Sequence, residues 1–148
     1  MQRKLVPDVV RDQRIHAVTP DVAVRSVARI MAENTVAAVV VVEGGTLKGI
    51  ITERDITARL VARERDPDST TAGDIMTPDP DTLGPDDSAE EALRMMRERN
   101  YRHLPVTDKG TVVGMISVRD LYAVVTDQLT RDVRNHEAFI YGEAYGTA

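Results

Sequence analysis

The sequence predicts an α/β (α+β) fold: two β-α-β-β-α repeats packed with pseudo-two-fold symmetry. Two observations predict it. First, the chain repeats itself. Shifted by 65 residues, positions 20–62 fall without a gap on 85–127, and thirteen of those 43 positions are identical. Second, each copy alternates stretches of helical hydrophobic spacing with short β-branched runs. One such unit is too small to bury its sheet well, whereas two packed face to face bury it and leave two equivalent clefts between them. Two copies make a duplicated unit and not a solenoid, which needs three or more.

The elements follow in order. A short strand is expected near residues 16–18. Over 22–34, Val24, Val27, Ile30 and Met31 share one helical face, with Pro20-Asp21 ahead of them as a start signal. The run "VAAVVVV" (36–42) is continuous, apolar and β-branched, as in a strand buried on both faces. Glu43-Gly44-Gly45-Thr46 makes a turn into a second strand over 47–51, and Thr52 opens a helix to about residue 62. The second copy gives a short strand at 81–83, a helix at 88–100, strands at 104–107 and 112–116, and a helix from Ser117 that runs past Leu129. The domain organisation is then repeat one at 7–65, a linker at 66–73, repeat two at 74–130, and a tail at 131–148 outside the repeat. The joining stretch "RERDPDSTTAGD" is polar and rich in turn formers.

Composition narrows the function. The chain is 42% hydrophobic, enough for a core, and carries a formal net charge of -5 without a dense Lys/Arg run, which argues against duplex nucleic-acid binding. It has no cysteine, which removes disulfides, thiolate metal sites and cysteine nucleophiles. No apolar run approaches the roughly 20 residues of a membrane span, and "MQRKLVPDVVRDQ" lacks the apolar stretch of a signal peptide. A cytoplasmic protein with no membrane association is expected.

The chemistry concentrates in "GIITERDI" (49–56) and its copy "GMISVRDL" (114–121). Thr52 and Ser117 stand where a strand ends and a helix begins, a place with free backbone N–H groups, a positive helix end and a hydroxyl, all suited to phosphate. Asp55 and Asp120 lie three residues on. A carboxylate accepts from both hydroxyls of a ribose. The same pattern also makes an ordinary helix cap, and the residues alone leave both readings open.

The double G-h-h-[TS]-x-x-D-[IL] motif, the run "DIMTPDPDTLGPDDSAEEALRMM" and "YRHLPVTDKGTVVGMIS" resemble a tandem pair of cystathionine-β-synthase (CBS) domains, the Bateman module, over about residues 7–127. The first copy departs from the family pattern in having "AAVVVVEGG" where an "LPVVD"-like strand stands. The resemblance implies a regulatory, energy-sensing module that binds adenosyl ligands (AMP, ADP, ATP, in some members NAD or S-adenosylmethionine) between its domains and commonly pairs into a disc-shaped homodimer. Carried over by position, it implies ribose binding by Asp55 and Asp120, and phosphate or ribose contacts from Thr52 and Ser117. Adenine would lie against Pro80, Asp81, Thr82 and Tyr101 in the Asp55 cleft, and against Ile15, His16, Ala17 and Val36 in the Asp120 cleft. Phosphate would meet Arg102 and His103 opposite Asp55, but only Ala37 and Ala38 opposite Asp120. Unequal sites are therefore expected, with the phosphorylated nucleotide held at Asp55.

Other constellations weigh less. "DPDTLGPDDSAE" (79–90) approaches a calcium loop but has Leu83 at a ligand position and prolines that stiffen it. His16, His103 and His136 are far apart in sequence, and no metal site is expected. There is no nucleophile–base pattern or nucleotide-hydrolysis loop, so catalysis and a catalytic cofactor are not expected. Phe139, Tyr141 and Tyr145 hold three of the five aromatics in the tail, which is either frayed or an arm against a partner subunit. With no room for an output domain in 148 residues, the target would be another chain, unidentified. The rival to the sensor is a ligand-independent dimerisation or docking module.

Overall fold

The computed structural model describes Lys4, Leu5, Val9, Val10 and residues 14–144, the last six by backbone alone. In the first half, β1 (Ala17–Val18) runs parallel to β2 (Ala38–Glu43), which pairs antiparallel with β3 (Thr46–Thr52). The β2–β3 turn is at Gly44 and Gly45, whose φ of 59° and 77° favour glycine. Val39, Val40 and Val41 are all buried, as the unbroken apolar run requires of a strand covered on both faces. β4 (Thr77–Pro78), which the sequence did not suggest, extends this sheet by pairing with β3 at Gly49 and Ile50.

In the second half, β5 (His103–Asp108) pairs antiparallel with β6 (Thr111–Ser117). The offset of 65 survives in the fine structure. The strand pairs break register between Val41 and Val42, and again between Val106 and Thr107. Val18 faces Val41 in parallel, and Leu83 faces Val106. The strand expected at 81–83 shrinks to that one bridging residue, which gives its carbonyl to Thr107 and its N–H to Pro105. Asp79 in a left-handed conformation and the Gly84-Pro85 turn bound it on either side.

Helix α1 (Val24–Asn34) and helix α4 (Ala89–Arg99) cover the two sheets with Val24, Val27 and Met31, and with Ala89, Ala92 and Met96. Both end on a left-handed residue, Thr35 and Asn100. α4 begins with a capping box between Ser88 and Glu91. α1 does not begin at Pro20-Asp21 as expected. It starts after Ala23, and its first N–H groups donate to the carbonyls of Thr70 and Pro67. The connector thus does the work of a side-chain cap. It then forms α3 (Ala72–Ile75), which sinks Ala72 and Ile75 into the first core. Leu5 and Val10 do the same in the second core, beside Leu83, Leu104 and Leu121. Each half is closed by a segment that precedes it or crosses from the other, so the halves are interlocked.

Helix α2 (Glu53–Ile56) follows β3 directly and continues as a wider π-type turn, Thr57–Val61. Helix α5 (Val118–Ala144) follows β6 and runs for 27 residues, far past its counterpart in the first half. No helix among the described residues is long and apolar enough to cross a membrane.

Candidate functional site

Where the two halves meet, a cleft of about 550 Å³ opens between α2, the connector and the start of β5. That is within the range of small-molecule sites. Its first-half wall carries Thr52, Arg54, Asp55 and Arg59; Thr77, Pro80 and Asp81 come from the connector; Arg99, Tyr101, Arg102 and His103 come from the second half. Seven of the expected residues therefore share one space: Thr52, Asp55, Pro80, Asp81, Tyr101, Arg102 and His103. Thr82 is exposed and does not line it. Ala37, expected to face Asp120, lines this cleft.

The centre of the wall is Asp55, only 8% exposed. Its Oδ2 accepts from the Thr52 N–H at 2.9 Å and the Thr52 hydroxyl at 3.2 Å, and its own N–H donates to Thr52 Oγ1 at 3.4 Å. The cap reading is therefore real: Thr52 and Asp55 form a capping box. Oδ1 is turned the other way. It accepts from the Thr77 hydroxyl at 3.2 Å, and the Arg59 Nε lies 3.9 Å from it. Arg59 spends Nη1 on the carbonyls of Ile75, at 3.1 Å, and Met76, at 2.7 Å, tying α2 to the connector. A carboxylate has about four acceptor positions, so three hydrogen bonds orient this one without exhausting it.

Three of the N–H groups at the helix start, those of Thr52, Glu53 and Asp55, are not free. Thr52 and Asp55 bond each other, and the Glu53 N–H donates to the Ala37 carbonyl at 3.1 Å. Attraction for an anion in this cleft falls to the guanidinium groups. Arg59 is committed as described, and Arg99 is paired with Asp81, which holds its pKa above the ordinary arginine value. Arg54 and Arg102 are exposed and make no ion pair among the described residues. His103 contributes less charge than expected. Burial pushes its imidazole below the usual histidine range, more than the nearby Asp120 and Glu53 carboxylates raise it, and Arg102 pushes the same way as burial. At neutral pH it is a neutral group.

The twin motif is built alike and placed differently. The Ser117 N–H donates to Asp120 Oδ2 at 3.0 Å, and the Asp120 N–H to Ser117 Oγ at 3.1 Å. Asp120 is exposed, however, and the counterpart of Arg59 is Val124. The counterpart of Thr77 is residue 12, outside the described residues. Ile15 and His16 are half-buried and Ala17 is exposed, while Val36 lines a separate groove of about 380 Å³ with Met31 and Ile56. Sequence reasoning missed Arg54, Arg59, Thr77 and Arg99. Arg59 was within reach, since it lies one turn after Asp55 on the same helical face. Thr77 had no local signal.

The family model for the CBS domain matches residues 6–62 and again 72–127. The chain belongs to the CBS-domain family. This CBS pair is 34% identical over 108 residues to the CBS domain-containing protein YhcV of Bacillus subtilis, covering 73% of this chain and 76% of that one. Several other curated relatives are longer, and this chain spans between 16% and 64% of their lengths. Among solved structures it resembles a CBS-domain protein of Burkholderia ambifaria MC40-6 at a TM-score of 0.77 and 35% identity, covering 83% of this chain and 95% of that one. It also resembles CBSX2, solved in complex with AMP, at a TM-score of 0.67 and 25% identity, covering 78% and 90%.

Proposed function

We propose that this CBS pair is a non-catalytic, cytoplasmic regulatory module that binds an adenosyl nucleotide in the Asp55 cleft and acts on a separate partner chain. The observation that carries this reading is the buried Asp55 carboxylate, pre-oriented by Thr52 and Thr77, in one cleft with two exposed cations, Arg54 on its own wall and Arg102 from the second half. Asp55 accepts from the ribose hydroxyls through its remaining lone pairs, Arg102 meets the phosphate, and the adenine lies against Pro80 and Tyr101. The AMP complex of the related CBSX2 supports the ligand class. Asp120, exposed and without an arginine at the Arg59 position, serves a weaker site.

Because the ligand would touch both halves, binding raises stability by mass action, about 2.7 kcal/mol at a hundredfold excess over Kd. Thermal denaturation with AMP, ADP, ATP, NAD and S-adenosylmethionine at millimolar concentration tests the reading. A rise in Tm with at least one of them is expected. No rise with any of them refutes the sensor and leaves the docking module.

A further inference from the structure

The duplication breaks at one point beside the cleft. After Asp55 the first-half helix gives way to the π-type turn Thr57–Val61, where the Ala62 N–H donates to the Thr57 carbonyl at 2.9 Å, whereas α5 runs on past Asp120 as an unbroken α-helix. Turns of this kind are frequent at functional sites. This one carries Arg59, and the twin position is Val124. The Arg59 guanidinium spans both ends of one hydrogen bond. Its Nε lies 3.9 Å from Asp55 Oδ1, and its Nη1 donates to the carbonyls of Ile75 and Met76, the two residues just before Thr77, whose hydroxyl donates to that same Oδ1. The strand ladder holds Thr77 weakly, because β4 is two residues long and one is a proline with no N–H to give.

Asp55 Oδ2 already takes two bonds from Thr52, so of a carboxylate's roughly four acceptor positions the one left open is on Oδ1. That is the oxygen Thr77 and Arg59 hold. We propose, on the reading of this cleft as a nucleotide site, that Arg59 is a positioning residue. Acting through Thr77, it fixes the Oδ1 acceptor position that meets a ribose hydroxyl, and so sets the preference for a ribonucleotide over its deoxy counterpart. A planar fork of donors suits the task, since one rigid group registers the helix against the connector. A direct electrostatic role would act on the phosphate, and so on every nucleotide alike. A positioning role acts on the sugar hydroxyls alone.

Titration calorimetry of the full chain with AMP and with 2′,3′-dideoxy-AMP tests this, read as the ratio of the two Kd values, in which phosphate and base contributions cancel. The wild-type ratio should be about tenfold or more, the scale of a hydrogen bond to a charged group. Arg59→Met should lower it about threefold or more, with the affinity for the dideoxy nucleotide held within about twofold. Arg59→Lys, which keeps the charge without the fork, should lower it too. Thr77→Val should match Arg59→Met, and Thr77→Ser, which keeps the hydroxyl, should keep the wild-type ratio. The double variant Arg59→Met, Thr77→Val should lose no more selectivity than Thr77→Val alone, because both changes act on one hydrogen bond. Circular dichroism would verify the fold of each variant. A ratio untouched by the Arg59 variants, or a parallel fall in affinity for both ligands, overturns the positioning role and leaves the nucleotide site standing. No binding of AMP by the wild-type chain, or a wild-type ratio near one, overturns the ribose reading of Asp55 and the positioning role with it.

Discussion

Replacing each motif aspartate by alanine should destabilise the fold unequally, even with no ligand present. Asp120→Ala removes a helix cap at an exposed position, a loss of about 0.5–2 kcal/mol. Asp55→Ala removes the same cap and also strands the Thr77 hydroxyl, which donates to Oδ1 at 3.2 Å. A hydrogen bond of that kind contributes about 0.5–1.5 kcal/mol. Arg59, 3.9 Å from the same oxygen, loses its counter-charge; with 40% of its side chain exposed, that term is small. Truncating a buried carboxylate relieves some desolvation, which offsets part of the loss. The net expectation is that Asp55→Ala costs roughly 1 kcal/mol more than Asp120→Ala, a further fall in Tm of about 3 °C for a chain of this size. Thermal melts of both variants without nucleotide measure it. Equal losses, or a larger loss at Asp120, would refute the reasoning that burial and Thr77 distinguish the two motifs.

Two further outcomes follow from the same geometry. A Cβ at Gly49 would sit 2.5 Å from Met76 Sδ and 2.9 Å from the Thr77 carbonyl oxygen, so Gly49→Ala should push β4 off β3 at a cost of roughly 1–3 kcal/mol, read as a lower urea midpoint; an unchanged midpoint would show that β4 is not held there. Burial lowers the His103 pKa in the folded state, so the unfolded chain binds more protons below about pH 6.5 and stability should fall as pH drops from there through the lower folded value. His103→Gln should flatten that part of the profile below about pH 6.5, and an unchanged slope would mean the imidazole titrates alike in both states.

Much of this fold is legible in the chain because duplication makes every weak local signal appear twice. The offset of 65 carries the strand register, the bulges and the left-handed ends at Thr35 and Asn100. The unbroken valines of β2 announce a strand with no solvent face. The Thr52–Asp55 and Ser117–Asp120 spacings announce the two capping boxes. What the sequence hides is long-range. β4 is two residues, one of them a proline, and exists only because β3 lies alongside. The cap of α1 is made of backbone carbonyls some 45 residues away in sequence, which no residue type signals. Asp55 and Asp120 look equivalent in sequence, yet among the described residues only Asp55 has an arginine one turn on and a threonine from the connector closing over it. The loss of His103 as a cation also follows from burial that no local pattern reveals.

The central claim, that the Asp55 cleft holds the nucleotide more tightly than its twin, through Arg102, is tested most directly by titration calorimetry with AMP. The wild-type chain, Arg102→Glu and Asp120→Ala would be compared under one buffer and salt condition. Arg102 is exposed and makes no ion pair among the described residues, so reversing its charge leaves the fold intact. The account predicts that Arg102→Glu weakens AMP binding by about a hundredfold or more, the scale of a lost charge-assisted contact with a repulsive one in its place. Asp120→Ala should leave the tighter site within about twofold. Equal losses in the two variants, or a larger one in Asp120→Ala, would contradict it.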